Sequence, residues 1–143
     1  MISAASFAAS REPVEHGLRG ASVLVVDDHE DSRDLVAMVL AAAGALVSQA
    51  SSAAEALTEL ESKQFALLVS DIGMPESDGY ELLRRIRRAP ATSSHDLPAI
   101  ALTAFCTAND RRLALSAGFQ EHMGKPFEPH ALIEAAERLI RRH

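Results

Sequence analysis

Three aspartates, a threonine and a lysine stand where chemistry could be done in this sequence. Asp27 and Asp28 follow the apolar run Val23–Val26, and Asp71 follows the run that starts at Phe65. Thr103 and Ala104 close the run Ile100–Leu102, and Lys125 comes just after the segment Phe119–Met123. Carboxylates held close together repel one another and are costly to keep ionised. A hard divalent cation removes that cost, and oxygen ligands of this kind suit Mg²⁺, or Mn²⁺ in its place. Such a cation beside Lys125 would draw in a phosphoryl group. The Thr103 hydroxyl and the Ala104 N–H could then donate to the phosphoryl oxygens. Phosphoryl transfer asks mainly for positioning and charge neutralisation, and this set supplies both. Asp is an established nucleophile for acyl-phosphate chemistry, so a carboxylate of this set could hold the group.

These residues can meet only if their elements share an edge. The pattern that does this is an alternation of apolar runs with helical stripes. Val23–Val26, Leu46-Val47, Phe65–Val69, Ile100–Leu102 and Phe119–Met123 read as five strands, the second of them edge-like. Between and after them come stripes at helical spacing: Leu35, Met38, Val39 and Ala42; Ala53, Ala56, Leu57 and Leu60; Leu83 and Ile86; Leu113 and Ala117; and Leu132, Ile133, Ala136, Leu139 and Ile140. Gly44 and Gly118 sit where helix C-caps belong, and Pro90 should stop the third helix. Gly73, Pro75 and Gly79 mark a loop. This (βα)5 alternation implies an α/β fold, a doubly wound parallel sheet with helices on both faces. In such sheets ligands bind beyond the carboxyl ends of the strands, where all the named residues fall.

Four segments also carry a resemblance: VLVVDD at 23–28, LLVSDIGMPESDGYELL at 67–83, PAIALTA at 98–104 and GKPF at 124–127. Together, in this order and each at a strand end, they resemble the receiver domain of two-component response regulators. The resemblance runs from about Ala21 to the end and implies a flavodoxin-like sheet of order 2-1-3-4-5. It implies Asp71 as the phosphoacceptor, Asp28 as a direct metal ligand, and Asp27 as its neighbour acting partly through water. The Gly73 carbonyl matches a backbone metal ligand, Thr103 the switch hydroxyl and Lys125 the phosphoryl-binding lysine. The Lys125-Pro126 bond is expected to be cis. The implied phosphodonor is a sensor histidine kinase or a histidine phosphotransfer protein.

Two positions depart from the common pattern. His122 stands where many receivers carry Tyr or Phe, which resembles receivers that belong to hybrid kinases. It is a candidate second switch residue and reporter to partners; the plainer reading is a half-buried strand histidine with no switching role. Phe105 is bulky beside the acyl-phosphate position and could screen it from water.

Duller explanations exist for each residue alone, since Asp favours caps and loops and Lys is usually solvated. The run Arg84, Arg85, Arg87 and Arg88 reads as a solvated face with Glu81 pairing Arg85 at i,i+4. Arg111 and Arg112 read as solvated or as part of a partner-docking face. Cys106 reads as incidental. The alternative function is a phosphohydrolase with an Asp nucleophile, but such enzymes want a carboxylate two residues on, where Gly73 stands. A flavin-binding protein would need a hydroxyl- and glycine-rich loop after the first strand, and DDHEDSR is acidic instead. A receiver that has lost its chemistry is opposed by the intact set of five residues.

Length and composition set the frame. The chain has 143 residues, enough for one domain with a real core. Residues 1–20 read as a disordered arm and 21–143 as the folded domain. Twenty acids against 14 bases leave a net charge of -6, which opposes nonspecific attraction to nucleic acid. No apolar run approaches the ~20 residues needed to cross a bilayer, and no signal peptide is evident. A single cysteine suits a reducing cytoplasm. An effector domain is not expected after the last helix, so signalling is expected by protein contact, as a stand-alone regulator, a phosphorelay intermediate or the receiver of a hybrid kinase. Homodimerisation through the fourth and fifth helices is left open, as is the downstream effector.

Overall fold

The three central strands are short aliphatic segments whose side chains suit a surface buried on both faces, while the two edge strands are more polar and less buried. In the computed structural model, which describes residues 17–74, 78–88, 96–104 and 107–141, these are β1 (Ser22–Val26), β2 (Leu46–Ala50), β3 (Leu67–Asp71), β4 (Ala99–Thr103) and β5 (Glu121–Gly124). The helices are α1 (Glu30–Ala42), α2 (Ala53–Ser62), α3 (Gly79–Arg88), α4 (Ala108–Ala117) and α5 (Pro129–Arg141). All strand pairs are parallel and the order is β2-β1-β3-β4-β5, as expected.

Strand side chains alternate between faces, so each strand feeds two cores. Leu24, Val26, Leu68, Ala99 and Ala101 pack with α2, α3 and α4. Val23, Val25, Leu67, Val69, Ile100 and Leu102 pack with α1 and α5. β3 and β4 are buried at every position, whereas the edge strand β2 is mostly half-exposed.

The helix ends follow local rules. Ser52 caps α2 by accepting from the Glu55 N–H, and Thr107 with Asp110 forms a capping box on α4. Gly118 ends α4 in the left-handed region at φ 113°. Gly44 follows α1 at φ 105°.

Several expectations change. On α1 the buried residues are Val36, Ala37 and Leu40, while Leu35 and Met38 are exposed. The sequence there is apolar nearly all round, so spacing alone did not single out the inner face. On α4 the buried side is Ala114 and Ala117, with Leu113 exposed. Phe119 is buried but precedes β5. Glu81 pairs with Arg84 and Arg88, each at 3.7 Å, rather than with Arg85. Arg87 is no solvated residue: its Nη2 donates to the Gly118 carbonyl at 2.8 Å and ties α3 to the end of α4.

Most of the expected arm, residues 1–16, lies outside the described residues, as do Pro90, Phe105 and Cys106. Its last four residues form a turn in which Leu18 is fully buried on the α1–α5 side. The Gly20 N–H donates to the Gly44 carbonyl at 3.0 Å, so the packed chain includes residues ahead of Ala21.

Candidate functional site

β1 ends at Val26, and the next backbone N–H, of Asp27, still donates to Ala50 of β2 at 3.1 Å. That bond fixes where the Asp27 side chain emerges. Asp27 is buried, and both its oxygens are occupied. Oδ1 accepts the His29 N–H at 2.9 Å. Oδ2 accepts the Ser32 hydroxyl at 2.7 Å and the Lys125 ammonium at 2.9 Å. Burial pushes this carboxyl up, but the donors from His29, Ser32 and Lys125 outweigh it and hold it below the usual range. Arg33 braces the same loop. Its Nη1 donates to the Asp27 carbonyl at 3.0 Å and its Nε to Gln49 at 2.9 Å.

Asp71 is the last residue of β3, with the Ser70 hydroxyl donating to its carbonyl at 2.9 Å. Its carboxylate lies 3.4 Å from Lys125, farther than Asp27 does. Burial pushes Asp71 up; Lys125 pulls it down and the charge on Asp27 raises it again, leaving it above the usual range. Two neighbouring carboxylates thus sit on opposite sides of the ordinary value, a pattern common at functional sites. Gly79, at the start of α3, packs against the Asp71 backbone. A Cβ there would stand 2.5 Å from the Asp71 carbonyl oxygen.

Asp28 completes the acidic group. Ligand atoms of Asp27, Asp28, His29 and Asp71 all lie within 4.8 Å of one another. Asp28 Oδ1 is buried and has no hydrogen-bond partner among the described residues. A shielded carboxylate oxygen without a hydrogen bond beside two other carboxylates fits a divalent cation, which would satisfy it and offset the repulsion.

Thr103 ends β4, buried, one step beyond the Asp71–Leu102 pair. Its carbonyl accepts the Lys125 N–H at 2.9 Å, which aligns the lysine with the rim. Ala104 and Gly73 are exposed. The Lys125-Pro126 bond is cis. His122 lies apart from the acidic group, paired in register with Ala101, and its Nε2 is buried without a hydrogen-bond partner. Asp110 is held low chiefly by the Thr107 hydroxyl and N–H, with a small contribution from His122. Sequence reading gave no role to His29, Ser32 and Arg33, and read Gly79 as a loop residue where it begins α3. Ser32 and Arg33 sit one helical turn after the Asp27-Asp28 pair, which was the available signal.

The model of the response regulator receiver domain family matches residues 23–137. The chain belongs to this family. A 14.6 kDa uncharacterised protein of Leptolyngbya boryana is 47% identical to the receiver over 116 residues, 81% of this chain and 87% of its own. The sensor histidine kinase RcsC of Escherichia coli is 36% identical over 73% of this chain, which spans only 10% of that kinase. Chemotaxis protein CheY4 of Vibrio cholerae superposes with a TM-score of 0.77 at 29% identity, covering 84% of this receiver and 98% of CheY4. The flavodoxin-like arrangement expected from the sequence is therefore the observed one.

Proposed function

We propose that this receiver takes a phosphoryl group onto Asp71 from a phosphohistidine, on a sensor histidine kinase or a phosphotransfer protein, and passes the signal on by protein contact. The observation that carries the reading is the convergence on one rim of Lys125, a buried Asp71 held above the usual carboxylate range, and an Asp28 Oδ1 that is buried without a hydrogen bond. In the transfer the P–N bond of the donor breaks and a P–O bond forms to Asp71 Oδ. The histidine leaves as a neutral imidazole once it has taken up a proton. Lys125 bridges Asp27 and Asp71 and is placed to turn toward the incoming phosphoryl oxygens. Thr103 and the Ala104 N–H are the further donors, and movement of Thr103 is the switch that His122 would report on the α4–β5 side.

Asp28, Asp71, the Gly73 carbonyl and, through water, Asp27 would hold Mg²⁺ or Mn²⁺, which when bound neutralises charge on the transferred group. The relatives with named functions are longer proteins, of which this chain spans half or less, so their outputs are not carried over. The test is phosphorylation by a small phosphodonor with Mg²⁺, read by intact mass. Wild type should gain an acid-stable, base-labile phosphate and Asp71→Asn none. An unmodified wild type, or equal modification of both, would overturn the reading.

A further inference from the structure

His29 is not absorbed by that function. It occupies the N-cap of α1, at φ -93° and ψ 117°, yet its side chain makes no capping hydrogen bond. Ser, Thr, Asp or Asn would do that work, so capping does not account for an imidazole here. The backbone of His29 is held by its N–H bond to Asp27 Oδ1. That bond sets the ring beside the acidic group, with Nδ1 3.4 Å from Asp28 Oδ1 and 3.7 Å from Asp27 Oδ1. Asp28 Oδ1 remains without a hydrogen-bond partner. At this distance the two atoms form an ion pair when the imidazole is protonated, and when it is neutral they have the spacing of two ligands of a common ion. Metal–ligand lengths of ~2.0–2.3 Å place adjacent donors ~3 Å apart, so a small rotation of the mostly exposed ring suffices.

We propose that the His29 imidazole is a ligand of the cation held by the Asp27, Asp28 and Asp71 group, and that it shifts the site's preference from Mg²⁺ toward first-row transition cations. The inference rests on the reading that this acidic group holds a cation. Mg²⁺ favours oxygen ligands and gives up its water reluctantly, so a nitrogen donor adds little to its binding. Co²⁺ and Ni²⁺ gain from imidazole, and more than Mn²⁺ does. The carboxylates would then set charge, and His29 would set which ion is held. In a cell the receiver would respond to the transition-metal pool as well as to its phosphodonor.

The test needs no phosphodonor. The full chain, His29→Asn and Asp28→Asn are titrated with Mg²⁺ and with Co²⁺ by calorimetry. Mn²⁺-loaded protein is examined for ¹⁴N modulation in pulsed EPR. Asn keeps a capping residue at position 29. The expected result is a Co²⁺ affinity at least ~tenfold weaker in His29→Asn, a Mg²⁺ affinity within about twofold, and loss of the ¹⁴N modulation. Equal Co²⁺ affinity in wild type and His29→Asn, or modulation that survives the substitution, overturns the proposal. If Mg²⁺ binding is lost in Asp28→Asn while His29→Asn behaves as wild type, only the role of His29 falls. If Asp28→Asn leaves both cations bound as before, the cation site itself is elsewhere, and the metal part of the functional reading falls with it.

Discussion

Asp27 and Asp71 are the same residue type facing the same lysine, and their environments drive them apart. Asp27 collects donors on both oxygens; Asp71 is buried with the Lys125 ammonium 3.4 Å away and a like charge nearby. The sign of the pH effect follows. A carboxyl raised above its unfolded value destabilises the fold when ionised, fully so above its folded pKa. The cost disappears as pH falls through that value toward the unfolded one. Asp71→Asn should therefore stabilise the metal-free protein at neutral pH, by about 1 kcal/mol, the common size of such a gain at a functional site. The gain should shrink on acidification. Urea denaturation of both proteins from neutral pH down to pH 4 measures it, and a gain independent of pH would refute the assignment of the strain to the Asp71 charge.

At the scale of elements, Gly79 matters more than any loop residue. Helix α3 can begin where it does because nothing projects from Gly79 toward the Asp71 carbonyl. The Gly79 N–H also donates to Ile72 at 2.9 Å, closing the loop onto the strand. Gly79→Ala forces backbone apart rather than a flexible side chain. It should cost about 2 kcal/mol, in the range of overpacking, and slow phosphorylation of Asp71. Thermal unfolding and phosphodonor kinetics check the two effects. The same scale shows what the sequence could tell. Strands were legible because buried parallel strands leave unbroken aliphatic runs. The acids were legible because each follows such a run, and Lys125 because it comes just after the last strand-like segment. The inner faces of α1 and α4 were not, since Leu35, Met38 and Leu113 are as apolar as the residues that are buried. Leu18 was hidden for the opposite reason, as one leucine in a polar stretch with no period to mark it. His29, Ser32 and Arg33 belong to a helix start whose acidity masked their contacts with Asp27.

The whole molecule is a sheet separating two cores, with the acidic group at one end of it. A cation bound there touches the ends of β1 and β3 together, so its binding should stabilise the entire fold and not a single loop. Millimolar Mg²⁺ should raise the melting temperature of wild type by a few degrees, as expected for a ligand that binds only the folded state. Asp28→Asn should abolish most of that rise, and calorimetric scans with and without chelator would show it.

The contact between Lys125 and Asp27 spans 98 positions of the chain at 2.9 Å. Its consequence lies in synthesis. A nascent chain that has only Asp27 and Asp71 outside the ribosome has acids that repel and no ammonium between them. The charge balance of the site arrives with β5, one helix before the end of the domain. On the proposed function, competence to take up a phosphoryl group is thus withheld from partial chains until the domain is nearly complete.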